Sequence, residues 1–163
     1  MNRTCIVVAD AQHARFFAVE ASDAPRDRMK LVERLSLANP AMEAARRGGA
    51  GSVKTERVSN RQAGDVHPIE PRRQQHRLEL ERRFGREISR QAAEITRTWD
   101  DGTVVLAADP RLLGLMREEM RGALKPVIEL KELAKDYVRL TPEELHDHLA
   151  LNHLVPARHG APV

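Results

Sequence analysis

A chain of 163 residues with 41% apolar residues is long enough to bury a core and is expected to form one domain. Its aromatic content of 3% disfavours single-stranded nucleic-acid binding by base stacking, and its single cysteine excludes an internal disulfide. The charge is uneven, since residues 46–97 hold 13 Arg and Lys against 7 Asp and Glu, whereas the remainder holds 14 against 17. Such a basic region suits a polyanion such as RNA or an acidic protein face, and equally a solvated helix with i,i+4 ion pairs.

The N-terminal apolar run has none of the features of a targeting segment. Residues 5–9 are too few for a signal peptide and lead directly into Asp10. No stretch approaches the ~20 apolar residues of a membrane span, so we expect a cytoplasmic protein without a membrane partner. Cys5 lies within the run and is interpreted as a small buried hydrophobe, not a nucleophile.

Three strands are predicted at the start of the chain, joined by tight turns as an antiparallel meander: residues 4–10, 15–20 and 30–37. The spacing of Leu31, Leu35 and Leu37 places them on one face of the third strand. Asn39 and Pro40 have the form of a helix start. A glycine-rich basic loop is predicted over residues 46–71, longer than most connections within compact domains.

The strongest periodic signal is a long amphipathic helix over residues 72–99. Its apolar face recurs at spacings of three and four: Leu80, Phe84, Ile88, Ala92, Ile95 and Trp99. Its other faces carry arginines: Arg72, Arg73, Arg77, Arg82, Arg83, Arg86, Arg90 and Arg97. A glycine inside a helix costs about 1 kcal/mol relative to alanine, so Gly85 indicates that a neighbour packs closely there.

The C-terminal half is predicted as a strand at 103–108, a helix capped by Asp109, a strand at 127–133 and a helix opened by a capping box at Thr141. Residues 153–163 are predicted to be a flexible tail. The resulting order is β-β-β-α-β-α-β-α, an α/β (α+β) fold with a single mixed five-stranded sheet, over a domain of residues 1–152. The later β-α-β unit adds parallel strands through a right-handed crossover.

Several strings in this layout resemble the bacterial host-attachment protein family over about residues 4–150: VVADAQHARFF, NPA, RVSNRQAG, VVLAADPRLLGLMR and KELAKDYVRLTPEEL. Members of that family resemble the middle domain of the archaeal and eukaryotic peptide-chain release factor. That domain has an RNase H-like fold and a Gly-Gly-Gln loop between its third strand and a long helix. The resemblance implies an RNase H-like fold and affinity for the ribosome.

The segment RRGGAGS at residues 46–52 stands in the corresponding place, with Ala50 where the glutamine would be. The resemblance implies that this glutamine helps position the water that cleaves peptidyl-tRNA. A methyl group can neither orient water nor stabilise developing charge, and Gln62 has the wrong spacing to replace it. We therefore expect a contact surface, not a hydrolase, and the glycines are also explained by a helix C-cap followed by a flexible loop.

The expected function is a non-catalytic RNA- or ribosome-binding module that needs no cofactor or metal, with the ribosome or tRNA as partner and an acidic protein as the alternative. The expected phosphate-binding residues are Arg46, Arg47, Gly48, Gly49, Gly51, Lys54, Arg57, Arg61, Arg72 and Arg73. Two enzymatic alternatives stay open: peptidyl-tRNA release and metal-dependent nuclease action.

The nuclease alternative rests on carboxylates at strand ends, where such enzymes gather two cations. Asp10, Asp109 and Asp136 follow predicted strands, Arg15 completes this candidate polar cluster, and Glu79 or Glu81 could project from the long helix. Plainer roles are a turn residue, an N-cap, a loop residue and ion pairs. Three C-terminal histidines have poor spacing for joint metal binding and are predicted to lie on the surface: His146, His148 and His153.

Overall fold

The apolar, β-branched runs of the sequence form a five-stranded mixed sheet in the computed structural model, which describes residues 3–41 and 69–159. The elements are β1 (Thr4–Ala9), β2 (His13–Ala21), β3 (Met29–Ala38), α1 (Ile69–Thr96), β4 (Gly102–Ala108), α2 (Pro110–Ala123), β5 (Ile128–Leu133) and α3 (Pro142–Leu151). The predicted fold class and the predicted order of these elements are confirmed. The predicted helix start at Asn39 is followed by helical backbone at Pro40 and Ala41, where the first described segment ends.

The strand order across the sheet is β3-β2-β1-β4-β5. The strand β2 runs antiparallel to both β1 and β3, whereas β1–β4 and β4–β5 are parallel pairs. Every residue of β4 is buried, as its unbroken apolar run predicts for a central strand. The carboxyl ends of β1, β4 and β5 therefore lie along one edge of the sheet.

Helices cover both faces of the sheet and bury one apolar cluster on each. The face covered by α1 and α2 includes Phe16, Phe84, Ile88, Leu106 and Met116. The opposite face is covered by α3 and includes Ile6, Phe17, Val105, Leu145 and Leu149. Among the residues that the structure describes, no helix is long and apolar enough to cross a membrane.

A β-bulge in β3 changes the predicted placement of its leucines. Phe16 pairs with Leu35 and Phe17 pairs with Glu33, so one residue of β3 has no partner in the register. The extra residue reverses the alternation of side chains beyond it. Leu31 consequently joins the cluster under α3, whereas Leu35 and Leu37 pack on the α1–α2 face, so the prediction of one shared face was wrong.

The long helix starts and ends three residues earlier than predicted. Its first residues, 69–71, fall within the predicted loop, and its last residue is Thr96. Trp99 therefore lies in the turn after α1, partly buried against the α1–α2 cluster. The Lys125 ammonium donates hydrogen bonds to the carbonyls of Trp99 and, at 2.9 Å, Arg97, which satisfies carbonyls that the end of α1 leaves unpaired.

Gly85 is the point of closest approach between α1 and α2. A Cβ atom placed on Gly85 would lie 2.9 Å from Cγ of Met116, closer than real Cβ contacts. Met116 is fully buried. The predicted close neighbour of Gly85 is therefore the side chain of Met116, and the helix-propensity cost of glycine is offset by this packing.

The segment that follows α3 contacts the rest of the domain as far as residue His159. Val155 is buried, and the carbonyl of Arg158 accepts a hydrogen bond from the backbone N–H of Arg28 at 2.7 Å. The Arg158 guanidinium donates to Asp147 at 2.9 Å, which lowers the pKa of Asp147 and raises that of Arg158. The flexible tail was expected from residue 153, but residues 153–159 make these defined contacts.

Candidate nucleic-acid interface

Residues 72–77 of α1 have no buried side. All six residues from Arg72 to Arg77 are exposed, although a helix packed on a core hides one face. Burial begins only at Leu80 and Glu81, which are 8% and 3% exposed. At 1.5 Å per residue the six exposed residues span about 9 Å of helix. We call residues 72–77 the basic arm.

The basic arm carries positive charge without any acidic residue. It contains Arg72, Arg73, His76 and Arg77, and neither Asp nor Glu. Arg72 and Arg77 make no ion pair with any of the residues that the structure describes, and both are exposed. Arg82, one turn beyond the arm, is also exposed and lacks an ion pair within the same described residues. These guanidinium groups are available to an external anion.

The rest of α1, residues 79–96, is electrically balanced. It contains four arginines and four glutamates. Ion pairs occur between Arg83 and Glu79 at 3.7 Å, Arg86 and Glu119 at 3.5 Å, and Arg90 and Glu87 at 2.5 Å. Just past the helix end, Arg97 pairs with Glu94 at 3.4 Å. The interpretation as a helix with intramolecular ion pairs therefore describes this part of α1 and not the arm.

Two arginines close to the N-terminal end of α1 oppose the helix dipole, although Glu70 precedes them in the sequence. The N-terminal end of a helix carries partial positive charge, so an exposed arginine there costs about 0.3–1 kcal/mol. Arg72 and Arg73 lie in the first turns of α1, and the last turn contains no basic residue. An anion bound at the arm would be attracted by the arginines and by the helix dipole together. Helix stability alone thus gives no reason for this arrangement.

Most of the expected phosphate-binding residues lie outside the described residues. Arg72 and Arg73 belong to the basic arm. The others fall in residues 42–68: Arg46, Arg47, Gly48, Gly49, Gly51, Lys54, Arg57 and Arg61. Ala50, on which the comparison with the release factor depends, falls in the same range.

The sheet brings two of the candidate carboxylates to neighbouring positions. Asp10 follows β1 and Asp109 follows β4, and these parallel strands pair Ala9 with Ala108. The two aspartates therefore lie side by side at the carboxyl edge of the sheet, where α/β proteins often bind ligands.

Both carboxylates at this edge accept hydrogen bonds from nearby backbone N–H groups. Asp10 accepts from Gln12 at 2.8 Å and from His13 at 2.6 Å, which closes the β1–β2 turn. Asp109 accepts from Leu112 at 3.0 Å and is the N-cap of α2. These are the structural roles that the sequence analysis considered as alternatives.

Arg15 and Asp136 both form hydrogen bonds to backbone groups of the loop between β5 and α3. Nη1 of Arg15 donates to the carbonyls of Val138 at 2.9 Å and Leu140 at 2.7 Å, and Nε donates to Glu33 at 2.6 Å. Asp136 accepts a hydrogen bond from the N–H of Val138 at 3.2 Å. Arg15 thus fastens the β5–α3 loop to β2, and Asp136 shapes the same loop.

The glutamates of α1 also have partners within the fold. Glu79 pairs with Arg83, and the buried carboxylate of Glu81 pairs with the half-exposed guanidinium of Arg111 at 3.0 Å. Across residues 3–41 and 69–159, no three His, Cys, Asp or Glu side chains are grouped to hold a metal ion. None of these observations supports a two-cation nuclease site.

His146 is a buried polar residue, and its prediction as a surface histidine was wrong. It is fully buried, and its Nε2 lies 2.7 Å from the carbonyl oxygen of Pro156. A carbonyl only accepts, so Nε2 carries the proton, and Nδ1 has no hydrogen-bond partner among the described residues. The spacing of three to the buried Leu149 was the available signal. His148 is exposed as predicted, and its ring lies 5.1 Å from that of Tyr137.

Cys5 lies in the core of the sheet. Burial raises the pKa of its thiol to about 12, so the group is uncharged at neutral pH. A thiolate is the nucleophilic form of cysteine. The interpretation of Cys5 as a buried hydrophobe is therefore confirmed.

Comparison with known proteins identifies the family. The family model described as "Protein required for attachment to host cells" matches residues 5–149. No match was found among curated proteins. Among solved structures, the chain is similar to the Ppx/GppA phosphatase of Aquifex aeolicus, a type II variant, with 11% sequence identity and a TM-score of 0.34.

That structural match covers 96% of this chain and 42% of the phosphatase. At its TM-score it carries no argument about fold or activity, and it gives no support to the relation with the release factor. The family match, in contrast, covers most of the chain. The protein therefore belongs to the host-attachment protein family.

Proposed function

We propose that this member of the host-attachment family is a non-catalytic RNA-binding protein that contacts phosphates through its basic arm. The observation that carries the proposal is the exposure of every residue from Arg72 to Arg77, in a stretch without acidic residues. Elsewhere on α1, Arg83, Arg86 and Arg90 have glutamate partners, and Arg82 is the one arginine outside the arm without an ion pair to the described residues.

Phosphate contacts by arginine predict a strong dependence on salt. Each neutralised phosphate releases condensed counterions, so the logarithm of affinity falls linearly with the logarithm of salt concentration, by about 0.7–0.9 per contact. Arginine also binds phosphate in a bidentate manner that lysine does not reproduce. Every basic residue of the arm other than His76 is an arginine.

The resemblance to the release-factor domain supplies the ribosome as the proposed setting. The strand order β3-β2-β1-β4-β5, with β2 alone antiparallel, supports the further proposal that the fold is RNase H-like. Ala50 stands at the place of the catalytic glutamine, so we propose contact with ribosomal RNA or tRNA and not hydrolysis.

The test measures binding to ribosomes and to tRNA at a low and a physiological salt concentration. The variant Arg72→Ala with Arg77→Ala removes two arginines that make no ion pair with the described residues. The matched control, Arg83→Ala with Arg90→Ala, removes the same charge from the balanced part of α1. We expect the arm variant to lose about tenfold in affinity at low salt and to show a salt slope shallower by about 1.5.

Two results would contradict the proposal. One is the absence of binding at low salt, and the other is an equal loss of affinity in the arm variant and the control. A partner captured by the wild type but not by the arm variant, and retained after nuclease treatment, would assign the arm to an acidic protein.

A further inference from the structure

Each aromatic side chain of the protein is already engaged within the fold. The chain has five of them, and all five lie in the described residues: Phe16, Phe17, Phe84, Trp99 and Tyr137. The three phenylalanines are at most 3% exposed. Trp99 packs on the α1–α2 cluster beneath the guanidinium of Arg3, and Tyr137 packs in the cluster under α3.

Single-stranded nucleic acids are bound mainly by stacking unpaired bases on exposed aromatic rings. No phenylalanine, tyrosine or tryptophan ring of this protein is presented to solvent in that manner, and the basic arm has the single imidazole of His76. Arginine can stack on bases, but Arg72, Arg77 and Arg82 have no neighbouring ring with which to form a stacking platform. We therefore expect the affinity of the arm to come mainly from phosphate contacts.

Three arginines in the first half of α1 lack an ion pair within the described residues, and they lie on different sides of the helix. Arg72, Arg77 and Arg82 follow one another at intervals of five residues, and each helical residue turns by about 100°. Successive members are therefore about 140° apart around the axis, and all three are exposed. A flat row of phosphates could contact only one of these arginines at a time. A groove with phosphates on both walls could contact at least two of them.

Charge density favours the same kind of ligand. A duplex carries one phosphate per about 1.7 Å of its axis, and each neutralised phosphate contributes about 0.9 to the salt slope, against about 0.7 in a single strand. A protein that binds through phosphates alone thus gains more from a duplex than from a single strand of equal length.

We infer that the ligand of the basic arm is a base-paired polynucleotide, recognised through the phosphates on the two sides of a groove. The inference rests on the RNA-binding function proposed above and adds that the bound nucleic acid is double-stranded. Duplex RNA and duplex DNA share this phosphate lattice, and they differ in groove shape and in the 2′-hydroxyl group.

The experiment titrates the full-length protein into four oligonucleotides of equal length: duplex RNA, duplex DNA and an unstructured single strand of each. Affinity is measured at several salt concentrations. We expect a duplex to bind about tenfold more tightly than its own single strand at low salt, with a steeper salt slope. Comparison of the affinities for duplex RNA and duplex DNA shows which of the two duplexes is preferred.

The variants separate this inference from the proposed function. Arg72→Ala with Arg77→Ala should remove most of the preference for duplex, whereas Arg83→Ala with Arg90→Ala should preserve it. A single strand that binds as tightly as its duplex, with the loss confined to the arm variant, overturns the inference and leaves RNA binding standing. No low-salt binding to any oligonucleotide overturns both.

Discussion

The basic arm and the balanced part of α1 belong to one helix and use arginine in opposite ways. Arginines 83, 86 and 90 each have a glutamate within 4 Å, on α1 itself or on α2. Arg72 and Arg77 have no acidic partner in the described part of the chain. The difference shows that arginine content alone does not locate an anion-binding surface, because ion pairs within the fold already occupy several of these arginines.

The two regions also differ in what the fold requires of them. Residues 80–96 place Phe84, Ile88 and Ala92 in the core, and their removal would open cavities. Residues 72–77 bury nothing, so most of their side chains can be exchanged without loss of packing. Changes in the balanced part should therefore alter stability, and changes in the arm should alter binding.

The largest stability effect is expected at the buried ion pair between α1 and α2. Glu81 is 3% exposed and depends on Arg111 for its compensating charge. We expect Arg111→Ala to lower the free energy of unfolding by about 2 kcal/mol, below the range for fully buried pairs because Arg111 is half-exposed. Urea unfolding at neutral pH measures the change.

The control for this pair is the combination of Glu81→Gln with Arg111→Ala. It removes the buried charge together with its partner, so it should cost less than Arg111→Ala alone. A free energy of unfolding for Arg111→Ala within about 0.5 kcal/mol of wild type would show that the buried carboxylate needs no partner. In that case the ion pair between Glu81 and Arg111 would not contribute to the stability of the contact between α1 and α2.

The next largest effect is expected at two helical glycines, one closely packed and one with open space beside it. Gly85→Ala should lower the free energy of unfolding by about 1 kcal/mol, because its Cβ would meet Cγ of Met116 at 2.9 Å and overpacking outweighs the helix-propensity gain. Gly114→Ala in α2 should raise it by about 0.5–1 kcal/mol, since nothing lies within 4 Å of its added Cβ. Thermal unfolding of both variants checks the signs.

Equal stabilisation by both alanines would mean that Met116 moves aside without cost. Destabilisation by both would mean that the space around Gly114 is not open in solution. Either outcome would change the picture of α1 and α2 as tightly fitted along their contact.

A smaller effect, of opposite sign in the two regions, is expected from the paired arginine variants. Arg72→Ala with Arg77→Ala should raise the free energy of unfolding by about 0.3 kcal/mol, because it removes the charge of Arg72 near the positive end of the helix dipole. Arg83→Ala with Arg90→Ala should lower it by about 0.5 kcal/mol through the loss of two ion pairs within α1. Chemical unfolding at low ionic strength gives both values, and a destabilised arm variant would contradict the comparison.

Periodicity and capping chemistry were sufficient to predict the main elements of the fold. The core face of α1 from Leu80 to Ile95, the N-cap at Asp109 and the capping box at Thr141 all appear in the structure. These features depend on residues close in sequence, so local patterns determine them. The cost of a helical glycine also indicated a close contact at Gly85, although its partner, Met116, lies on α2.

Features that depend on distant residues were not predictable from local patterns. The bulge in β3 is defined by its pairing with Phe16 and Phe17, and the ion pair of Glu81 is completed by a residue of another helix. His146 is buried because the segment around Pro156 packs over it. The lack of an ion pair between Arg72 or Arg77 and the other described residues likewise required the structure, because a sequence shows charges but not which of them form pairs.

The smallest expected effect is the pH dependence of one ion pair in the balanced part of α1. Hydrogen bonds from Gln91 and then Arg90 lower the pKa of Glu87 from its ordinary value of 4.5. A carboxyl whose pKa is lower in the folded protein adds stability above its unfolded pKa and loses it as pH falls through the folded pKa. The difference in free energy of unfolding between wild type and Glu87→Gln should therefore shrink from about pH 6 to about pH 3.

The arm contains no carboxylate, so the difference between wild type and Arg72→Ala with Arg77→Ala should stay constant over that window. A pH-dependent arm variant would mean that an acidic group pairs with the arm in solution, and the contrast between the two parts of α1 would then fail.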